Sequence, residues 1–283
     1  YWLRGTAAAF VSWVDLVNIY LDASDEDERT GSEESLKKFR NNDMGEPYTP
    51  KSMESIRTPE GLMARTIHGE RGVVPDDVRC LLATVDVQKY QFVVQVTGLR
   101  PGYPVDLVPI DYFALKKSRA VDADGDPLPV SPAARQEDWD LLVEKVMDLR
   151  YPLGDDSGRT MGIFCTGCDS GGRAGVTDRA YQFYRKLHRE GRAARFILIK
   201  GGSNPNAART RISYPDNSGK SGASVHAARG DIPLLMINTN VLKDGLSNRL
   251  DAVTPGAGII HMSSWLPRSW FSEMCAEVRT AKG

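Results

Sequence analysis

The chain has few cysteines and no long apolar run, and it carries no net excess of positive charge. Four cysteines in 283 residues are too few for a disulfide framework, which favours a reduced, intracellular protein. No apolar run approaches the roughly 20 residues that a membrane helix needs. Residues 1–20 lack both a basic start and a small-residue cleavage site, so they do not predict a signal peptide. With a net charge of −1, no overall field favours nucleic acid.

The start of the chain predicts a helix followed by a connecting segment. Because the chain begins with Tyr1 rather than methionine, we expect it to be a piece of a longer protein. Residues 7–22 carry apolar side chains at helical spacing and predict an amphipathic helix. The polar, proline-containing segment 41–78 predicts an extended connection. We therefore predict an N-terminal helical and linker segment over residues 1–78 and a main domain over residues 79–283.

The main domain begins with short β-branched runs. Residues 80–86, 91–99 and 105–113 predict three strands, and the hairpin-length gaps between them predict antiparallel pairing. Later segments alternate between apolar runs and amphipathic repeats, which predicts alternating strands and helices. The predicted fold class is α/β, a mixed sheet of three antiparallel strands and further strands with flanking helices, in an order that matches the ribonuclease H-like fold. We expect residues 116–134 and 201–230 to be irregular.

Two aspartates follow apolar strands at positions where α/β sheets place their functional sites. Asp86 ends the first predicted strand, and Asp169 ends the fourth, over residues 160–168. Carboxylates at the carboxyl ends of neighbouring strands can hold a hard divalent cation through oxygen. Gly171 and Gly172 would let backbone approach a bulky ligand such as a phosphate. The alternative is that each aspartate is a turn or helix-capping residue, a common role of aspartate after a strand.

Further side chains could complete such a site. Glu277, on the last predicted helix, could add a third carboxylate, although an exposed helical glutamate has the same pattern. Lys200 follows an apolar strand and could contact a phosphate as a point charge, or simply cap the strand in solvent. A basic stretch over residues 185–220 could bind phosphates locally, or it could form an ordinary solvated face.

Other motif-like features of the sequence do not indicate a functional site. Cys165 and Cys168 have the spacing of a metal or redox pair, but no second cysteine or histidine pair accompanies them, which favours packing. A Gly-Lys-Ser triplet ends at Ser221, but Tyr214 stands where a phosphate-binding loop requires glycine. We therefore predict no ATPase site in this chain. The four histidines have no metal-binding or nucleophile–base spacing.

Several segments together resemble the large terminase subunit of lambda-like tailed phages, in its C-terminal nuclease part. They occur in the family's order and cover most of residues 39–280. The segments are Phe39-Arg-Asn-Asn-Asp-Met-Gly-Glu-Pro-Tyr48, Leu82-Ala-Thr-Val-Asp-Val-Gln88, Cys168-Asp-Ser-Gly-Gly172, Ile199-Lys-Gly201, Leu242-Lys-Asp-Gly-Leu246 with Arg249-Leu250, and Ala276-Glu277.

The resemblance implies a ribonuclease H-like, metal-dependent endodeoxyribonuclease that cuts double-stranded concatemeric phage DNA during genome packaging. It implies that Asp86, Asp169 and Glu277 bind Mg²⁺ or Mn²⁺, with two ions expected, and that metal-activated water attacks a phosphodiester. Lys200 corresponds to a lysine associated with the family's nuclease site. Asp178 stays open as an alternative third carboxylate.

The same resemblance implies the protein's partners and location. The expected partners are double-stranded DNA, the small terminase subunit and the portal protein, with no membrane, and the expected location is the host cytoplasm. The helix predicted over residues 7–22 resembles the segment that leaves the ATPase motor, which would lie upstream. Two alternative functions stay open: an inert ribonuclease H-like module that docks DNA or the portal, and a resolvase-type nuclease on the same fold.

Overall fold

A computed structural model of the chain describes residues 6, 11–30, 32–46, 48, 57–202, 204, 206–214 and 232–276. The chain divides into two compact units. The sheet unit contains Glu70–Leu99 and Pro109–Thr239, and the helical unit contains Tyr1–Gly69, Arg100–Val108 and Asn240–Gly283. The boundary predicted after residue 78 stays a prediction.

A mixed sheet is the central element of the fold. The described strands are β1 (Cys80–Val87), β2 (Phe92–Arg100), β3 (Asp106–Leu115), β4 (Lys117–Val121), β5 (Pro127–Pro129), β6 (Arg150–Pro152), β7 (Thr160–Asp169), β8 (Phe196–Gly202), β9 (Thr210–Ser213) and β10 (Leu234–Asn238). The strand order in the main sheet is β3-β2-β1-β7-β8-β10-β9, β6 pairs with the start of β7, and β4 and β5 form a separate hairpin. With its flanking helices, this sheet confirms the mixed α/β class.

Strand direction changes near the middle of the main sheet. β1 is antiparallel to β2 but parallel to β7. β7, β8 and β10 then run parallel to one another, and β9 closes the described edge antiparallel to β10. Because β1, β7 and β8 run the same way, their carboxyl ends meet at one edge of the sheet.

The first hairpin shows why the local sequence forms strands. Apolar side chains alternate along β1 and β2, and this two-residue period buries one set on a common face. The strands pair up to Val87 and Phe92. The turn is closed by a backbone hydrogen bond from the Gln88 N–H to the Gln91 carbonyl, at 3.0 Å. The turn therefore holds four polar residues, Gln88–Gln91, directly after the strand that carries Asp86.

An aromatic cluster packs the longest helix of the sheet unit, α4 (Val176–Arg189), against the sheet. Trp139 lies with its ring centroid 5.4 Å from that of Phe92 and 5.8 Å from that of Phe183. Phe183 in turn contacts Phe196 at 5.2 Å. All four side chains are buried, so they contribute much of the apolar burial that stabilises this unit.

The helical unit contains the remaining helices. These are α1 (Trp13–Thr30), α2 (Glu34–Lys38), which continues as a π-helical turn over Phe39–Asp43, α3 (Pro59–Met63), α5 (Thr239–Asp251) and α6 (Arg268–Cys275). In the described part of the chain, no helix has the length and apolar character needed to cross a bilayer.

A buried carboxylate organises one loop of the helical unit. Asp106 is only 2% exposed, and it accepts backbone N–H groups from Gly256, Gly258 and Ile259 at 2.7, 2.8 and 3.0 Å. Its Oδ2 also lies 2.9 Å from Nε2 of His261. Burial alone would raise the pKa of the Asp106 carboxyl, but these hydrogen bonds together outweigh burial and lower that pKa.

The acidic segment near the start of the chain is helical, which corrects our expectation that the first helix ends near residue 22. In the described residues, α1 begins after Ser12, whose hydroxyl accepts the Asp15 N–H at 3.1 Å. The helix continues to Thr30. Tertiary contacts favour this extension, since Glu26 accepts the Ser35 hydroxyl of α2 at 2.5 Å.

Two segments expected to be irregular contain strands. Residues 116–134 form the β4–β5 hairpin, whose turn is held by Asp122 Oδ1, which accepts the N–H groups of Asp124 and Asp126 at 3.0 and 2.9 Å. Residues 201–230 contain β9, and residues 203, 205 and 215–230 lie outside the described residues. These three strands, β4, β5 and β9, are short and largely exposed, so the apolar periodicity that identifies longer strands is absent from them.

Candidate active site

The structure places Asp86 and Asp169 side by side on neighbouring strands. Val85 of β1 pairs with Cys168 of β7 in a parallel register. Asp86 and Asp169 are the next residue of each strand, so their backbones are separated by about one strand spacing, roughly 4.8 Å. Residues at the same level of two adjacent strands point to the same face of the sheet. Both carboxylates therefore lie at one edge and on one face.

The loop after β7 holds Asp169 in a fixed orientation. Ser170 is buried, and both its N–H and its hydroxyl donate to the Ile199 carbonyl of β8 at 2.9 Å. The Ser170 carbonyl accepts the hydroxyl of Thr177 at 2.8 Å. With the loop anchored in this way, the Gly171 N–H donates to Oδ1 of Asp169 at 3.0 Å. In the described residues, no donor contacts the other oxygen of this carboxylate.

A glutamine orients the second carboxylate. Nε2 of Gln88 donates to Oδ2 of Asp86 at 2.9 Å. Gln88 is itself held by Gln91, whose Nε2 donates to Oε1 of Gln88 at 2.5 Å. Asp86 is exposed to solvent, and its Oδ1 has no hydrogen-bond donor within the part of the chain that the structure describes. In the described residues, one oxygen of each aspartate therefore accepts a hydrogen bond from the protein while the other accepts none.

Lys200 lies beside Asp169. A methyl group added at Gly171 would stand 3.4 Å from Oδ1 of Asp169 and 3.9 Å from Cγ of Lys200, so both side chains approach the same glycine. Lys200 is half-buried, and across the described ranges no carboxylate lies within salt-bridge distance of its ammonium group. The structure thus places Asp86, Asp169 and Lys200 at the carboxyl edge of β1, β7 and β8, with Ile199 rather than Lys200 level with Asp169 in the register of β7 and β8.

The described residues do not identify the third carboxylate. Glu277 lies outside the described residues. Asp178 is exposed in the first turn of α4. Within the described residues, no group of three or more histidine, cysteine, aspartate or glutamate side chains is arranged to hold a metal ion. The identity of the third carboxylate therefore stays a prediction.

A comparison with protein families agrees with this geometry. The family model of the terminase large subunit gpA, endonuclease domain, matches residues 1–283. The chain belongs to this family. Searches of the curated proteins and of the solved structures find no significant match. Family membership confirms the resemblance to the lambda-like terminase nuclease and identifies the chain as a nuclease domain of viral DNA packaging.

The cysteine pair of this endonuclease domain does not have the environment of a metal or redox site. Cys168 is buried, and its burial, followed by the negative charges of Asp169 and Asp86, raises the pKa of its thiol well above the ordinary value. Burial also raises the pKa of the Cys165 thiol. Both side chains therefore stay protonated near neutral pH, which disfavours thiolate chemistry.

The basic stretch of the endonuclease domain is partly engaged in structure. Lys186 pairs with Asp140 at 2.6 Å, and Arg192 pairs with Asp148. Arg195 donates to the backbone carbonyls of Met147 and Ile163 at 2.5 and 2.8 Å. In this part of the stretch, these three cations therefore make contacts within the fold.

The sequence interpretation missed the role of Gln88. The residue was noted only as the end of a family-like segment, although the two-residue period of a strand already places its side chain on the same face as that of Asp86. What the sequence does not show is the hydrogen bond between them, because a turn can direct a glutamine side chain in many ways.

Proposed function

We propose that this domain is a metal-dependent endonuclease with a ribonuclease H-like fold, and that it cuts double-stranded, concatemeric phage DNA during packaging. The observation that carries the proposal is the parallel register of β1 and β7, with Val85 opposite Cys168. This register brings Asp86 and Asp169 to one edge of the sheet, where two carboxylates can act on a single phosphodiester.

The sheet order supports the ribonuclease H-like part of the proposal. Starting at one edge, β3, β2 and β1 lie next to one another and are consecutive in the chain. β7 and β8 then follow on the other side of β1, both parallel to it. An antiparallel β1–β2 pair next to parallel strands, with α4 between β7 and β8, supports this part of the proposal.

The chemistry of the donors fits a hard divalent cation. In the described residues, one oxygen of Asp86 and one of Asp169 accept no hydrogen bond. Carboxylate oxygens are the ligand type that Mg²⁺ and Mn²⁺ prefer. Mg²⁺ commonly takes one or two carboxylates and completes its shell with water and phosphate oxygens. We propose that these two aspartates hold the ion, or a pair of ions, with Glu277 as the third carboxylate and Asp178 as its alternative.

Each residue of the site then has a specific task. When bound, the ion supplies Lewis-acid activation of the phosphate and of water. Gln88 and the Gly171 N–H fix the two carboxylates, so that their free oxygens keep one orientation. Lys200, beside Asp169, places a positive charge where it can contact the scissile phosphate and offset charge that develops during hydrolysis.

The partners follow from the same proposal. We propose that the domain acts in the host cytoplasm, on duplex DNA, together with the small terminase subunit and the portal protein. Contacts to the DNA backbone carry little sequence information, so selection of the cutting site would come from the small subunit. DNA binding by the domain alone should therefore weaken with salt and vary little among sequences.

The test is cleavage of plasmid DNA by the 283-residue chain in Mg²⁺ or Mn²⁺. Asp86→Asn and Asp169→Asn should each lower the cleavage rate by at least about a hundredfold, since several kcal/mol of transition-state stabilisation depend on the ion. Asp76→Asn is the matched control, because Asp76 is an exposed aspartate in a turn of the same unit. It should cleave like the wild type.

Calorimetric titration with Mn²⁺ separates the alternatives. The proposal predicts Mn²⁺ binding that both site variants weaken and the control variant preserves. Wild-type cleavage by Asp86→Asn and Asp169→Asn would overturn the site assignment. A chain that neither binds Mn²⁺ through these aspartates nor cuts DNA would be the inert docking module, and a preference for branched over linear duplex DNA would indicate the resolvase-type activity.

A further inference from the structure

A basic groove lies next to the proposed active site. It has a volume of about 690 Å³ and runs between the β1–β2 turn and the β4–β5 hairpin. Lys89 and Tyr90 line it from the turn, while Lys116, Lys117 and Pro129 line it from the hairpin side. We refer to it as the lysine groove. All of these residues belong to the sheet unit.

The lysines of the groove are not engaged in ion pairs. Lys89, Lys116 and Lys117 are all exposed, and in the described residues none of their ammonium groups lies within salt-bridge distance of a carboxylate. The neighbouring cation of the hairpin, Arg119, does pair with a carboxylate, Glu144, at 2.5 Å. Three unpaired positive charges around one groove favour an anionic ligand.

An aromatic ring accompanies these charges. Tyr90 is 53% exposed, and the ammonium nitrogen of Lys89 lies 4.5 Å from the centre of its ring. A ring beside ammonium groups suits a nucleic acid strand, because the ring can contact a sugar or base while the lysines contact phosphates. An acidic peptide would use the lysines but would leave the ring without a matching contact.

Gln88 connects the groove to the proposed active site. Its side chain lines the groove and donates to Asp86 at 2.9 Å. The turn that carries Lys89 and Tyr90 is closed by the 3.0 Å backbone hydrogen bond between Gln88 and Gln91. A strand that lies in the groove is therefore led directly to the carboxylate edge of β1.

We propose that the lysine groove binds the sugar-phosphate backbone of the DNA segment that flanks the scissile phosphate. Lys116, Lys117 and Lys89 contact successive phosphates, and Tyr90 contacts the sugar or base between them. The placement of the groove beside the scissile phosphate rests on the proposed function. Its binding role can nevertheless be measured without cleavage.

The experiment measures duplex DNA binding by fluorescence anisotropy without divalent metal, over a series of salt concentrations. The double variant Lys116→Gln/Lys117→Gln should lose affinity by on the order of tenfold per lysine near 0.1 M salt, because each lost phosphate contact lowers the salt slope by about 0.9. Lys145→Gln, which removes an exposed lysine elsewhere in the same unit, is the matched control and should match the wild type in both affinity and slope.

Tyr90 supplies a second, independent measurement. Tyr90→Ala should weaken binding without changing the salt slope, whereas Tyr90→Phe should bind like the wild type because the ring is kept. Circular dichroism melts confirm that each variant is folded. Wild-type affinity and slope in the double lysine variant would overturn the groove assignment, whatever the cleavage assay shows.

The two proposals fail in different ways. Asp86→Asn should bind duplex no more weakly than the wild type while losing cleavage. If Asp86→Asn and Asp169→Asn still cut DNA and the lysine variant loses affinity, the proposed catalytic site is wrong and the groove stands. If both aspartate variants are inactive and the lysine variant binds like the wild type, the catalytic site stands and the groove is wrong.

Discussion

Gln88, the first residue of a turn, donates a hydrogen bond of 2.9 Å to Asp86, the one carboxylate of the preceding strand. The two residues are separated by a single position, so the contact is local and does not depend on distant parts of the chain. Because Gln91 fixes the far oxygen of Gln88 at 2.5 Å, the amide can present only its nitrogen to Asp86. The carboxylate is therefore held in one orientation before any ligand binds.

Removing this hydrogen bond should weaken the site without unfolding it. Gln88→Leu keeps a side chain of similar size on an exposed turn but cannot donate to Asp86. We expect Mn²⁺ affinity and the cleavage rate to fall by roughly 10- to 100-fold, the usual cost of losing a partner that orients a metal ligand. Calorimetric titration and plasmid cleavage measure the two effects.

The control for this variant is Gln182→Leu. Gln182 is an exposed amide on α4, and its Oε1 accepts a hydrogen bond from Arg179 at 3.3 Å. It should leave both the Mn²⁺ affinity and the cleavage rate unchanged. Equal Mn²⁺ affinity in Gln88→Leu and the wild type would show that Gln88 does not orient Asp86 for binding.

Gly171 provides a steric test of how closely Asp169 and Lys200 must approach. An added methyl group would lie at ordinary van der Waals distances, 3.4 Å from Oδ1 of Asp169 and 3.9 Å from Cγ of Lys200. Gly171→Ala should therefore keep most of the activity. Gly171→Val adds two further carbons in the same space, so it should displace one of the two side chains and lower the cleavage rate by at least about tenfold.

Thermal unfolding distinguishes a local effect of Gly171→Val from a general loss of structure. We expect the melting temperatures of the alanine and valine variants to be close, since Gly171 lies in a partly exposed loop. If the valine variant cleaves as fast as the alanine variant, close approach of Asp169 and Lys200 is not needed for the reaction.

The lowered pKa of Asp106 predicts that the stability of the fold depends on pH. Its pKa is lowered in the folded state because hydrogen bonds outweigh the effect of burial, while in the unfolded chain it should titrate near the usual value of about 3.9. The stabilisation is therefore fully present above about pH 4 and is lost as the pH falls through the folded-state pKa. The free energy of unfolding should drop over this acidic range.

Asp106→Asn isolates this contribution. The backbone N–H groups that now donate to the carboxylate would face an amide, whose NH₂ group cannot accept them. We therefore expect the free energy of unfolding to fall by about 2–4 kcal/mol at pH 7. The difference from the wild type should narrow at acidic pH, where Asp106 is protonated as well. Urea denaturation at pH 7 and in acid measures both values.

Asp155 is the matched control for Asp106. Hydrogen bonds from Ser157, followed by those from Arg159, lower the pKa of Asp155 to about 2. The turn is exposed, so solvent screens these interactions. Asp155→Asn should change stability much less than Asp106→Asn. Equal losses in the two variants would contradict the role assigned to burial at Asp106.

The candidate site was predicted only in part from the sequence. Asp86 and Asp169 were identified because each follows an apolar strand, and this pattern is visible in the local sequence. Lys200 was chosen for the same reason. The lysine groove had no such pattern, because Lys89 lies 27 positions from Lys116 in the sequence and the hairpin that carries one wall was expected to be irregular.

Strand and helix character was largely determined by the sequence itself, through apolar periods of two residues in β1 and β2 and of three to four in α4. The aspartates at strand ends were determined in the same local way. Only the tertiary structure decided that β1 pairs with β7 in a parallel register, because such pairing depends on side-chain packing between segments far apart in the chain. That register, and the turn that faces the β4–β5 hairpin, place two carboxylates and a basic groove at one edge.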